Sequence, residues 1–245
     1  MRYFLLSAIL LLGALLPANA SPACTTQSAA TYANLAGGCL LSNGTTDFIL
    51  KNINWTSVTG GNHVSVAASQ VMLNPTLNAG FLSVAVFSAM FNVTGNQRIE
   101  GTLSYLVDPP PPILEDLNLE MDANSPVAPG TASVSAHICA GDLIVNNCVA
   151  GEWWNFGVHH FGPGNAGNVL TNRAYFTAPR YLIDVQLKFE LDANGASSQI
   201  NGVNAFTQTI PEPAAMWLML GGLAGLLGAR RIRRGAKLKG LPVSL

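Results

Sequence analysis

Residues 181–191 alternate between apolar and polar with a period of two. Tyr181, Ile183, Val185, Leu187, Phe189 and Leu191 point one way; Asp184, Gln186, Lys188 and Glu190, with Leu182, point the other. That period fits a half-buried β-strand and no helix. Less regular runs of similar length recur at 48–58, 64–73, 81–87, 99–107, 113–121, 132–139, 169–176 and 199–209. Turn-forming residues separate them: Gly60-Gly61-Asn62, Asn74-Pro75, Gly95-Asn96, residues 126–130, residues 162–167 and Asn194-Gly195. About nine strands punctuated in this way predict an all-β body, an antiparallel two-sheet β-sandwich of jelly-roll type. Four prolines at 109–112 cannot donate to a ladder and read as a stiff connector within one domain, not as a boundary.

Both ends of the chain break this alternation with unbroken apolar runs. At the start, Arg2 precedes an apolar stretch over residues 4–16, too short for an ordinary membrane span, and Pro17 ends it. Ala18-Asn19-Ala20 is a small-x-small pattern, so signal peptidase is expected to cut after Ala20 once the general secretory machinery has engaged the chain. A lipoprotein reading would acylate Cys24, but it needs an apolar residue three positions upstream, where Ser21 stands. At the other end, Pro211-Glu212-Pro213 is followed by an uncharged apolar run over 214–229 and then by Arg230, Arg231, Arg233 and Arg234, with Lys237 and Lys239 beyond. Sixteen residues rise about 24 Å as a helix, enough for a thin or compressed bilayer. The basic cluster acts as a stop that keeps the tail in the cytoplasm and the body outside. The two prolines hold the backbone extended at the outer boundary, where a protease could bind it as a strand.

This three-part end resembles the PEP-CTERM sorting signal of Gram-negative bacteria, through Pro211, Glu212 and Pro213, the Gly/Leu/Ala-rich span and the Arg cluster. The resemblance implies exosortase as a partner, a membrane-embedded thiol protease that acts near the Pro-Glu-Pro motif. It implies export across the inner membrane, a transient anchor there, and then the cell surface or release, in bacteria that make extracellular polysaccharide. The chain accordingly divides into a signal peptide (1–20), an extracytoplasmic β-sandwich domain (21–209), a sorting and anchor segment with one transmembrane helix (210–235) and a basic cytoplasmic tail (236–245). More loosely, the body is similar to the β-rich ectodomains common among such proteins, through Cys24 and Cys39, the strand at 181–191, and the strand at 199–209 running into Pro211. Those ectodomains mostly lack an assigned activity.

Splitting the chain changes the meaning of its charge. Over 245 residues the formal net charge is −1 and only 10% of residues are charged, with a mean hydropathy of +0.32. Between Ser21 and Pro213, however, five basic residues stand against all thirteen acidic ones, a net −8; the other seven basic residues lie in the two ends. A body this acidic repels nucleic acid and anionic polymers unless cations bridge them, so no nucleic-acid partner is expected.

The exported part holds Cys24, Cys39, Cys139 and Cys148, an even count that favours disulfides in an oxidising compartment. Three connectivities exist; closeness in sequence favours Cys24–Cys39 and Cys139–Cys148, each worth roughly 2–3 kcal/mol by loop closure. A zinc reading fails on spacing, because only His137-x-Cys139 brings two soft ligands together. No metal and no cofactor is expected. His159-His160 reads as part of a Gly- and aromatic-rich loop after Glu152-Trp153-Trp154, and adjacent residues cannot share one face of a strand.

Glu115, Asp116, Glu120 and Asp122 form a carboxylate set of the kind a glycosidase spaces about 5–10 Å apart. Glu115 and Glu120 differ by five positions and would face opposite ways, so the set reads as a solvated face. Asp192-Ala193-Asn194-Gly195 lacks the ligand pattern of a calcium loop and reads as a turn. Neither a nucleophile elbow nor a phosphate or dinucleotide fingerprint is present in the body. Asn43, Asn54 and Asn92 head glycosylation sequons of a kind frequent in any Asn/Thr-rich chain.

Two functions from different classes follow. The first is a non-enzymatic surface or matrix protein associated with exopolysaccharide. The second is a carbohydrate-binding module that stacks sugars on Trp55, Trp153 or Trp154, which a buried position would exclude. A polysaccharide hydrolase relying on Glu115 or Glu152 is a weaker third.

Overall fold

A computed structural model describes residues 21–44, 47–78, 81–108, 114–122, 129–140, 153–162, 165–180 and 182–208. Within them the fold is all-β. Sheet I has the order β1 (Gln27–Ser28), β4 (Met72–Asn78), β5 (Phe81–Phe87), β14 (Gly202–Gln208), β8 (Leu114–Asp122) and β11 (Thr171–Arg180). Sheet II runs β10 (Trp153–His160), β9 (Thr131–Ala140), β12 (Ile183–Asp192), β7 (Arg98–Asp108), β3 (Asp47–Ser57) and β2 (Cys39–Ser42). A short ribbon pairs β13 (Ala196–Gln199) with β6 (Asn92–Gly95), and a single-turn helix α1 (Ala29–Ala33) is capped by the Ser28 hydroxyl. Every strand pair is antiparallel. From β7 onward the chain passes back and forth between the sheets, except that β9 and β10 follow one another within sheet II. This sets β5-β14-β8-β11 beside β10-β9-β12-β7, the order of a jelly roll with extra strands at one side.

The alternation that predicts the strands also builds the core. Ile183, Val185, Leu187, Phe189 and Leu191 of β12 are buried to 1% exposure or less, and they join Leu82, Val84, Val86, Leu119 and Val203 of sheet I in one cluster. In β3 a bulge falls between Lys51 and Asn54, with Asn52 in the left-handed region at φ 54°. The extra residue resets the phase, so Phe48 and Leu50 before it and Ile53 and Trp55 after it are all buried. Trp55 lies in an aromatic cluster, its ring centroid 5.7 Å from Phe91 and 5.6 Å from Phe189. Gly101 on β7 makes room for it, because a Cβ there would run into the indole.

Three expectations are corrected. Residues 64–73 do not form a strand: the ladder of β4 begins at Met72, after a 3-10 turn at Ala68–Gln70. The backbone of Val66 is satisfied by side chains instead, its carbonyl accepting from Trp55 Nε1 at 2.7 Å and its N–H donating to Ser57 Oγ at 3.1 Å. Asn74-Pro75 is no turn but lies inside β4, opposite Ala85 and Val84. The neighbouring β1 reaches only Met72 and Leu73, so at Pro75 β4 is an edge strand, where proline is tolerated. His159-His160 closes β10, which pairs residue for residue with β9. Its loop-like glycine, Gly157, answers a close approach, since a Cβ there would lie 3.0 Å from the Val134 carbonyl. By contrast Asn194-Gly195 is a tight turn, with φ of 44° and 86° and an N–H from Ala196 to the Ala193 carbonyl at 2.8 Å.

Cys24 and Cys39 are joined with Cα atoms 4.9 Å apart, which ties the N-terminal segment to β2. Cys139 is also disulfide-bonded; its expected partner Cys148 lies outside the described residues, as do the proline run at 109–112, the signal segment with Ala18 and Ala20, and the span at 214–229. Among the described residues no helix is long and apolar enough to cross a membrane.

Candidate functional site

In β7, β9, β10 and β12 the residues between the core positions point out of sheet II. Register aligns them in rows. Lys188 lies opposite Thr102 on β7 and Ser135 on β9; Gln186 lies opposite Ser104 and His137, and His137 opposite Asn155 on β10. Around these residues the sheet forms an open depression of about 580 Å³, lined by Thr102, Ser135, His137, Asn155, Gln186 and Lys188 among others. Its lining sets hydroxyls, amides, an imidazole and the Lys188 ammonium among the apolar surface of Ala136 and Phe156. The His137 ring is held by Asn155, Nδ1 to Oδ1 at 2.5 Å.

A second depression of about 260 Å³ continues along the same strands, lined by His63, Arg98, Glu100, Ser133, Glu190 and Asp192 among others. Glu100 and Glu190 face each other directly across the β7–β12 ladder, an arrangement that like charges disfavour. Lys188 offsets it by bridging both, at 3.1 Å to Glu100 and 2.5 Å to Glu190. Its hydrogen bonds to Glu190 first, then to Glu100, hold the ammonium pKa above the usual lysine value. Arg98 pairs with Asp192 at 2.8 Å, and His63 Nε2 lies 3.9 Å from Glu100. The cations here are thus matched by carboxylates, and Lys188, which also borders the first depression, is held by Glu100 and Glu190. Deeper in the sheet, burial raises the Tyr105 hydroxyl pKa, and the Asp184 carboxylate adds to the effect.

The residues singled out by sequence scatter. Trp55 is core, 6% exposed, and cannot stack a ligand. Trp154 is half-buried, packed against the core and 4.8 Å from the Phe176 ring. Trp153 opens β10 opposite Cys139, and its side chain lies outside the described residues, as does Glu152. Glu115, Asp116, Glu120 and Asp122 all fall on β8 of the other sheet. They are not a uniformly solvated face: Asp116 is 1% exposed and paired with Arg173, whereas Glu120 and Asp122 are exposed. Among the described residues no group of three or more His, Cys, Asp or Glu could hold a metal ion. The groove residues Thr102, Ser135, Asn155 and Gln186 were not candidates from sequence. Gln186 and Lys188 were visible as the polar face of one strand, but only the register shows which strands complete that face.

Pro211, Glu212, Pro213 and the Arg cluster also lie outside the described residues. The model of the PEP-CTERM protein-sorting motif matches residues 209–234. The chain carries a PEP-CTERM sorting motif. That motif marks an exosortase-targeted surface protein, exported, anchored and then cleaved. It begins one residue after β14 ends at Gln208. Because β14 is paired on both sides, by β5 and β8, a cut near the PEP-CTERM motif leaves the sheet intact.

No curated protein matches this sequence. Among solved structures, TmCBM61 in complex with beta-1,4-galactotriose is 11% identical, over 53% of this chain and 83% of its own, with a TM-score of 0.30. The enzymatically active domain of tailspike protein 4 from bacteriophage CBA120 is 12% identical, over 65% of this chain and 19% of its own, with a TM-score of 0.31. Likeness at that level carries no argument about ligand or activity.

Proposed function

We propose that this protein is a non-catalytic surface or matrix component whose body associates with extracellular polysaccharide through the groove of sheet II. The sorting motif at 209–234 carries the reading, since it commits the chain to exosortase and the cell surface. In this reading signal peptidase cuts after Ala20, residues 214–229 anchor the chain in the inner membrane, and Arg230, Arg231, Arg233 and Arg234 hold the tail inside until exosortase acts near Pro211-Glu212-Pro213.

Amide and hydroxyl groups around Gln186 and Asn155 match the hydroxyl edges of sugars, and two depressions end to end suit a chain better than a single small molecule. The non-catalytic reading is supported by the carboxylates. Glu100 and Glu190, directly opposed in the groove, are both engaged by Lys188.

The sorting part is tested by replacing Pro211, Glu212 and Pro213 with alanine. The uncut protein should then accumulate in the inner membrane, and unchanged release would refute it. The binding part is tested on the released protein by sedimentation with the producer's own polysaccharide. Gln186→Ala with Asn155→Ala should weaken co-sedimentation; binding equal to the parent's would remove the groove from the reading.

A further inference from the structure

The outer face of sheet I is built differently from the groove. Tyr175 on β11 is 66% exposed, the highest value among the large hydrophobic side chains described. Such a ring normally moves freely; this one is braced. The Arg173 guanidinium lies 4.5 Å from the Tyr175 ring centroid, a cation–π contact. Arg173 is itself fixed by Asp116, with Nε donating to Oδ2 at 2.6 Å and Nη2 donating to the same oxygen. Asp116 stands directly opposite Tyr175 in the ladder and is 1% exposed. A buried carboxylate therefore holds a guanidinium, and the guanidinium holds an exposed aromatic ring.

Register extends the pattern across the sheet. The row that contains Arg173 continues through Asn118 to Phe206 and Ser83; the next runs from Thr171 through Glu120 to Asn204 and Ala85. Phe81 and Phe87, 45% and 36% exposed, lie on the same face of β5. Among the described residues of this face aromatic rings and short amides or hydroxyls thus interleave.

We infer that this face, centred on Tyr175, is a second binding surface for a neutral polysaccharide, separate from the groove of sheet II. The inference rests on the reading of the body as polysaccharide-associated. Tyr175 presents a ring on which the apolar face of a pyranose stacks, and Arg173 and Asn204 stand where they can meet the hydroxyl edges. Bracing the ring beforehand lowers the entropy lost on binding. The charge of the face selects the class. Among the described side chains of this face Asp116, Glu120 and Asp122 outnumber Arg173, so an anionic polymer or an anionic lipid surface is repelled and an uncharged chain is not. With one surface on each outer side of the sandwich, a single molecule can join two polysaccharide chains.

The released protein, sedimented with amorphous cellulose, mannan and xylan, with alginate, and with phosphatidylglycerol vesicles, tests this. Binding is expected to at least one neutral polymer and to neither alginate nor vesicles. Tyr175→Ala should weaken it about tenfold, Tyr175→Phe should retain it, and the melting temperature should be unchanged in both. If Tyr175→Ala binds as the parent does while Gln186→Ala loses binding, the second surface is refuted and the groove stands. If the parent binds the producer's own polysaccharide but no neutral polymer, the second surface falls and the groove stands. Capture by vesicles through Tyr175 would replace the polysaccharide with a membrane.

Discussion

Sheet II turns Gln186, Lys188, Glu190 and Glu100 outward, and there Lys188 meets the two glutamates in exposed pairs along a groove. Sheet I turns Tyr175, Phe206 and Asn204 outward, and its Arg173–Asp116 pair sinks a carboxylate to 1% exposure. Inward the two sheets are alike, since both feed the same aliphatic and aromatic core. The pleat sends alternate residues to opposite sides, so one side of each sheet is free to vary once the other has secured the fold. The difference between the outer faces therefore reports what each face meets, while the shared interior reports only stability.

The largest effect should come from the part the two faces share. Trp55 fills the space left by Gly101 and touches both Phe91 and Phe189. Trp55→Ala should cost about 3–5 kcal/mol in urea unfolding and weaken binding at both faces together. Loss at one face alone would mean that the sheets are less coupled than one core implies. Next in size is the Cys24–Cys39 bridge, which closes a separation of 15 residues. Replacing both cysteines with serine should cost about 3 kcal/mol, with little effect on Tyr175, since the bridge anchors the far edge of sheet II.

The two ion pairs separate the faces directly. Arg173→Ala leaves a carboxylate that is 1% exposed without its guanidinium partner. Removing one member of a buried pair costs about 3–5 kcal/mol; with Arg173 34% exposed, about 2 kcal/mol is expected after solvent screening. The same variant frees the Tyr175 ring, so binding should fall along with the melting temperature, whereas Tyr175→Ala should lower binding alone.

How much of this was legible in the chain depends on the range of the interaction. The strand over 181–191 and the one over 81–87 announce themselves because their alternation is local. The stretch at 64–73 misleads because Val66 is held by Trp55 and Ser57, which come from an earlier strand. The two histidines after Trp153-Trp154 read as a loop because glycine and aromatics mark loops as readily as they mark a strand in close contact with its neighbour. Cys24 and Cys39 were paired correctly because a short separation leaves few alternatives. Neither face could be read in advance. Gln186 and Lys188 belong to one strand, but Thr102, Ser135 and Asn155 reach them only through ladder register. Tyr175 gains its meaning from Asp116, 59 residues earlier in the numbering, across a pairing that no periodicity reveals.

The smallest effect is expected on sheet II, and its sign can be worked out. Lys188 is 45% exposed and bridges Glu190 and Glu100. Exposed pairs contribute about 0–1 kcal/mol, so Lys188→Ala should shift stability by less than Arg173→Ala does. Some of the shift comes from the repulsion left between two directly opposed glutamates. The folded state holds the Lys188 pKa above its ordinary 10.5, chiefly through Glu190. A raised pKa means that the contribution is full below the unfolded value and is lost as pH rises through the folded one. Parent and Lys188→Ala should therefore differ in melting temperature at pH 8 and converge above pH 10.5. Adding salt at pH 8 should shrink the same difference, while that between parent and Arg173→Ala should hardly change, because its carboxylate is buried. If salt erased both differences equally, the distinction between a solvated groove and a braced aromatic face would fail at its electrostatic root.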